Sequence, residues 1–375
     1  MDNMTTFGGA NWSNSTAFTS MDTGDVKLYG VIQAAIDLCL VPFIIGGNAL
    51  VIIAILTTPK LQVPTNFFIL SLAVADLLVG VLVLPIYSLY YLEVPSAMKN
   101  KYLCLVRYTT VICSCGGSLL NLVCIAVDRY IAIIYPLRYQ ALVTPFRVKV
   151  TIFVLWFYSV LMSLLPLMGW NKWTEDANCV IFKVMSPIWI ILSDFLLGAV
   201  CLSLTIVLYA RVFSVAYKQH KLMESTSSWM SDELRLRQKR EIKSAKVMAF
   251  VLLMFVIFWV PYFVLAPMKY IDGVPADMIV TIKDFALCLS FSNSLINPII
   301  YGFLRRDFKA AFKRFLFVQM QRYRYQREYS KRGQEKTVMM NFPLKYLSNF
   351  HSMSSAGSLQ SLRSVSPFNT MNEVM

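Results

Sequence analysis

In a chain of 375 residues, 57% hydrophobic against 15% charged is too apolar for an ordinary set of soluble domains, and a mean hydropathy of +0.57 points the same way. The formal net charge of +14 fits three partners: nucleic acid, an anionic lipid face, or a bilayer that orients the chain by its basic loops. Residues 302–345 carry twelve Lys/Arg against three Asp/Glu and residues 211–246 carry nine against four, which accounts for the whole excess. Basic blocks alternating with long apolar runs fit positive-inside topology, so nucleic acid is set aside as a partner.

The first 28 residues are net acidic, with Asp2, Asp22 and Asp25, and hold three Asn-x-Ser/Thr sequons at Asn3, Asn11 and Asn14. They are expected to form an extracellular glycosylated N-terminus over 1–28. A bilayer core of about 30 Å takes about 20 apolar residues of helix. Seven stretches qualify, at roughly 30–56, 66–92, 104–127, 150–170, 184–210, 247–268 and 280–302. The first is too long and too far from Met1 for a signal peptide, so the mature chain is expected to begin near Met1. The densest basic blocks follow the fifth and seventh stretches, which puts the N-terminus outside and the tail inside. The expected fold is an all-α membrane protein, a seven-transmembrane helix bundle over 29–302 with a short amphipathic helix at 303–317. In that helix Leu304, Phe308, Ala311, Phe312 and Phe315 form one stripe, and Arg305, Arg306, Lys309 and Lys313 the other. Residues 318–375, basic and then Ser-rich, lack periodicity and are expected to be a disordered cytoplasmic tail.

Ionisable groups near the centre of a span cost about 2.5–3.5 kcal/mol on insertion scales, so each marks a candidate site. Asp76 lies in the middle of the second stretch. Asn48, Ser118, Asn293 and Asn297 fall at comparable depth in the first, third and seventh. One carboxylate among neutral oxygens suits a monovalent cation or a buried hydrogen-bond network. Of eight cysteines, six lie inside apolar stretches. Cys104 and Cys179 both lie on the outer, oxidising side and can pair. At the inner end of the third stretch stand Asp128, Arg129 and Tyr130; Glu241, at the start of the sixth, would meet Arg129 if the two helices pack there.

These residues resemble those of rhodopsin-like (class A) G-protein-coupled receptors from about 28 to 317. The matching features are Asn48, Leu72 to Asp76, Cys104 with Cys179, Asp128-Arg129-Tyr130, Trp156, Phe258-Trp259-Val260-Pro261, Asn297-Pro298-Ile299-Ile300-Tyr301, and Phe308. The resemblance implies a sodium pocket at Asp76, Ser118, Asn293 and Asn297, with no other cofactor. It implies that Arg129 contacts the G protein once released, that Trp259 is a rotamer switch beneath the ligand, and that Pro261 kinks the sixth helix. Tyr209 and Tyr301 resemble the tyrosines that approach Arg129 in the active state, and Leu137 the loop residue that plugs a slot on Gα. The chain departs from the family where Cys201 replaces the proline eight residues before Tyr209, removing the usual cause of the bulge in helix five.

The flanks of these motifs look most like adenosine receptors, with aminergic receptors close behind. The ligand residues diverge. Amine receptors hold the ammonium with an aspartate where this chain has Val111. Adenosine receptors have an asparagine where Ala266 stands and histidines at Phe263 and Phe291, although Asp37 keeps their acidic position. Arg107 matches a phosphate-binding arginine of lysophospholipid receptors. The expected ligand set is Arg107, Val111, Asp194, Trp259, Tyr262, Phe263 and Phe291, with adenosine-like, amine-like and lysophospholipid-like molecules as candidates.

A retinal protein would need a lysine where Phe291 stands, and a transporter an inverted repeat that is absent from this sequence. Enzymatic chemistry has little to build on, because the two histidines, His220 and His351, lie outside the apolar stretches. Expected partners are a small-molecule agonist, a heterotrimeric G protein and membrane lipids at the plasma membrane. Eight serines from Ser348 to Ser366 suit a receptor kinase and arrestin, and the tail lacks a cysteine for palmitoylation.

Overall fold

A computed structural model describes residues 23–94, 99–174, 179–225, 232–265 and 276–331. The sequons at Asn3, Asn11 and Asn14, the serine cluster and Ala266 lie outside them. Seven helices are long and apolar enough to cross a membrane. They are α1 (Thr23–Thr57), α2 (Pro64–Tyr91), α3 (Lys101–Ile134), α4 (Pro145–Leu164), α5 (Pro187–Lys218), α6 (Asp232–Leu265) and α7 (Ala276–Leu304). The only extended pairing among the described residues is an isolated bridge between Asn171 and Met185. In hydrocarbon a helix satisfies its own backbone polar groups, which is why apolar runs of this length become helices.

Capping sets several ends. The Asn100 side chain accepts from the Leu103 amide at 3.1 Å, and Thr144 Oγ1 accepts from the Arg147 amide at 3.3 Å. Pro145 at the first position of α4, preset for helix, starts it before the apolar run at 150. Beyond the apolar window α6 continues as a polar helix back to Asp232.

Two stretches widen to π-helix, Val79–Val83 in α2 and Ile191–Leu196 in α5. Helix five therefore widens despite Cys201, over residues that precede it. A final helix, α8 (Arg306–Lys331), begins after Leu304 and runs past the expected end at 317 into the stretch expected to be disordered. Its first turns place Phe308, fully buried, 5.6 Å from the Tyr301 ring. Arg305 Nη1 donates to Asn66 Oδ1 at 2.9 Å.

α3 is the central strut, packed against α2, α4, α5 and α6, while α1 closes the ring against α2 and α7. Lipid supplies no hydrophobic drive between helices, so close packing and hydrogen bonds hold them. Gly30 lets the α1 backbone lie against the Tyr91 carbonyl, where a Cβ would collide with backbone. Asn48 Nδ2 donates to the Ser294 carbonyl at 2.9 Å, tying α1 to α7, and Trp156 Nε1 donates to Ser71 Oγ at 2.9 Å, tying α4 to α2.

Candidate functional site

Three levels of the bundle hold buried polar chemistry; inner and outer denote the ends expected from the charge pattern to face the cell interior and exterior. At the inner end Arg129, 3% exposed, is a node between helices. Nε donates to Asp128 Oδ2 at 2.9 Å, Nη2 to Thr65 Oγ1 of α2 at 2.6 Å, and Nη1 to Ser244 Oγ of α6 at 3.3 Å. Asp128 is held in turn by Thr65 at 3.0 Å and by the Tyr139 hydroxyl at 2.9 Å, from the loop between α3 and α4. Burial, with Asp128 beside it, pushes the Tyr139 phenol up to about 12, so it stays a protonated donor at neutral pH. Leu137, 94% exposed, projects from the same loop. The Tyr209 and Tyr301 hydroxyls are buried without a hydrogen-bond partner.

At mid-depth Asp76, 1% exposed, faces the bundle interior. Oδ1 accepts from Ser118 at 3.3 Å and Ser294 at 2.9 Å, and Oδ2 accepts from Asn297 Nδ2 at 2.7 Å. A small cavity beside it is lined by Asp76, Ser118, Asn293, Ser294, Phe291 and Trp259. The Oδ1 atoms of Asn293 and Asn297 are buried and unpartnered. One carboxylate and idle neutral oxygens around a small void suit a hard monovalent cation.

In the outer half the Cys104–Cys179 disulfide fixes the loop to the top of α3. The Tyr108 hydroxyl donates to the Cys179 carbonyl at 2.7 Å. Below that loop lies a cavity of about 650 Å³, counting its open mouth, lined by Val111, Ile112, Leu197, Trp259, Tyr262 and Phe263 with Tyr87 and Ser193 among others. Its lining is mainly apolar with a few hydroxyls, the composition of a small-molecule site. Its floor, Trp259, lies 5.6 Å from Phe255 and also forms the roof of the mid-depth cavity. Pro261, two residues on, has no N–H to give the backbone, and the neighbouring Phe258 carbonyl accepts from Ser290 of α7 at 3.0 Å.

Residues 47–301 match the profile described as 7 transmembrane receptor (rhodopsin family). The chain belongs to the rhodopsin family of seven-transmembrane receptors. Among its relatives, the histamine H2 receptor of Cavia porcellus is 33% identical over 294 residues, 77% of this chain and 80% of that protein. The histamine H2 receptor of Homo sapiens is 33% identical, over 72% and 75%. The adenosine receptor A2b of Mus musculus is 30% identical, over 76% and 90%. The chain is thus a multi-pass membrane receptor and not an enzyme.

Within this receptor the sequence-derived ligand residues divide. Val111, Trp259, Tyr262 and Phe263 line the outer cavity, whereas Arg107 and Phe291 do not. The Tyr87 ring stands between, 4.1 Å from the Arg107 guanidinium and 5.3 Å from the Phe291 ring, and itself lines the cavity. Asp194 lies in the π-helical part of α5 and Glu241 in α6; their side chains are outside the described set. Ser244, one turn beyond Glu241, is a described contact of Arg129 on α6. Sequence reasoning passed over Thr65, Ser244, Ser294 and Tyr139. Hydroxyls are common in membrane helices, and only their spacing from Asp76 or Arg129 hints at a role.

Proposed function

We propose that this receptor sits in the plasma membrane with its N-terminus outside, binds a small-molecule agonist in the cavity beneath the Cys104–Cys179 loop, and activates a heterotrimeric G protein at its inner end. The observation that carries the reading is the fan of hydrogen bonds from Arg129 to Asp128, Thr65 and Ser244, which joins α2, α3 and α6. While those bonds stand, α6 is held against α3 and the inner mouth is shut. Swinging the inner half of α6 outward about Pro261 breaks the Ser244 contact and frees Arg129 for Gα, beside the already exposed Leu137. The buried Tyr209 and Tyr301 hydroxyls then have a partner in the released guanidinium.

Agonist binding is transmitted by shape. A ligand pressing on Tyr262, Phe263 and Trp259 acts on the residues that flank Pro261, and Trp259 passes the movement to the Asp76 cavity. Asp76, Ser118, Ser294, Asn293 and Asn297 are the residues that would hold a sodium ion. The ion supplies a positive charge that neutralises the carboxylate and favours the closed bundle. Converting a 1:99 closed-state preference into 99:1 takes about 5.5 kcal/mol of differential affinity, which the agonist and the G protein supply together.

The relatives are named for histamine and adenosine. An amine agonist of the usual kind has no aspartate at Val111 to pair with. The test is Arg129→Ala in cells expressing a panel of Gα subunits. G-protein dissociation, basal and agonist-driven, is expected to vanish at unchanged surface expression, whereas Ser244→Ala is expected to raise basal dissociation. Normal signalling by Arg129→Ala contradicts the assignment.

A further inference from the structure

Arg107 stands in the outer half of α3, 5% exposed. Three phenol rings enclose its guanidinium, with Cζ 3.4 Å from the centroid of Tyr90, 4.1 Å from Tyr87 and 5.2 Å from Tyr108. Nε and Nη1 are buried and have no hydrogen-bond partner. No described carboxylate pairs with it: Asp284 of α7 is beside Lys283 at 3.4 Å, and Asp37 of α1 accepts from Gln33 at 3.4 Å. An arginine cannot escape burial by losing its proton. The ring faces attract the charge but leave Nε and Nη1 idle, so the enclosure solves half of the problem. Tyr87 and Tyr108 also line the outer cavity, so two of the rings around the guanidinium border that space.

We propose that Arg107 is the anion anchor of the agonist site, taking a single carboxylate carried on an apolar body. The inference rests on the outer cavity being that site. The cavity wall of Val111, Ile112, Leu119, Leu197 and Leu287 suits hydrocarbon or aromatic surface, and its described lining holds no carboxylate to receive an amine. One guanidinium balances one negative charge. A phosphate dianion would leave a charge unmatched. Rotation of the Tyr87 ring opens the idle donors to the cavity, so the ring acts as the shutter between an apolar chamber and a buried cation.

The experiment is thermal unfolding of the purified receptor in nanodiscs without G protein. The probes share one body: 4-phenylbutyrate, its amide, 4-phenylbutylamine and 4-phenylbutyl phosphate, with longer alkyl carboxylates from decanoate to hexadecanoate. A carboxylate is expected to raise the midpoint by at least about 2 °C, with no shift from amide or amine and a smaller one from phosphate. Arg107→Gln is expected to abolish the carboxylate shift and to raise the ligand-free midpoint, because it removes a buried unpaired charge; Arg107→Lys is expected to keep part of the shift. A fall in the ligand-free midpoint of Arg107→Gln makes Arg107 a packing residue and overturns the proposal. So does silence from every carboxylate at millimolar concentration, or an equal or larger shift from the amine or the phosphate. Coupling at Arg129 is not read in this assay, so its failure leaves the G-protein reading standing.

Discussion

Asp76 and Arg129 are each a charge that hydrocarbon cannot hold unaided, and each has been given hydrogen-bond donors or acceptors from other helices. If Asp76 and its idle neighbours take a sodium ion, sodium chloride raises the unfolding midpoint of the receptor over choline chloride at equal ionic strength, and Asp76→Asn abolishes that difference. A persisting sodium effect in the variant places the ion elsewhere. Tyr139 offers a pH counterpart outside the membrane. Its folded-state pKa, pushed up to about 12, exceeds the unfolded value, so its hydrogen bond to Asp128 contributes fully below about pH 10 and is lost as pH rises towards 12. Basal activity should therefore not change through Tyr139 between pH 6 and 9, while Tyr139→Phe, which removes the donor, raises it at every pH in about that range. These charges were legible in the sequence because a polar residue in an apolar run stands out. Thr65, Ser244 and Ser294 were not, since a hydroxyl can always return its proton to its own helix backbone and so carries no obligatory partner.

At the level of helices, seven spans were readable from length and hydropathy alone, but their ends were not. Caps such as Thr144-Pro145 and polar extensions such as the start of α6 lie where the apolar signal has already stopped. The same limit explains α8: the Phe308 stripe ends where alternating Arg and Tyr begin, yet the helix continues to Lys331. The π-helical stretch in α5 left no signature either, because the expected proline is Cys201 and the widening starts earlier. Close approach of two helices makes a sharper prediction. Gly30→Ala puts a methyl against the Tyr91 carbonyl, where backbone must shift. The expected cost is about 1–3 kcal/mol, read as a lower unfolding midpoint, whereas Gly46→Ala, with open space around it, should be silent. Equal midpoints for the two variants would show that α1 is not seated against α2 as described.

At the scale of the whole bundle, one end is fixed by a disulfide and the other is held by hydrogen bonds between helices. The disulfide closes a loop spanning 75 residues and pins the loop over the cavity. Removing it as Cys104→Ala/Cys179→Ala should cost about 2–5 kcal/mol and reduce surface expression, with the single variants no milder than the double. The inner end depends on hydrogen bonds between side chains of different helices, which are reversible by a modest free energy. The family was legible in the sequence from the order of its motifs. The ligand is not: Arg107 reads as a pocket residue, yet it does not line the cavity, whereas Tyr87, in contact with it, does.

When the receptor couples, α6 is expected to leave Arg129. Double electron–electron resonance between nitroxides at Tyr135, at the inner end of α3, and Lys246, exposed on α6, measures it on a background stripped of reactive cysteines. The account predicts a short distance in the receptor alone and a second, longer population that grows on adding nucleotide-free heterotrimeric G protein, and that the longer population is already present in Ser244→Ala. A single unchanged distance under all three conditions contradicts it.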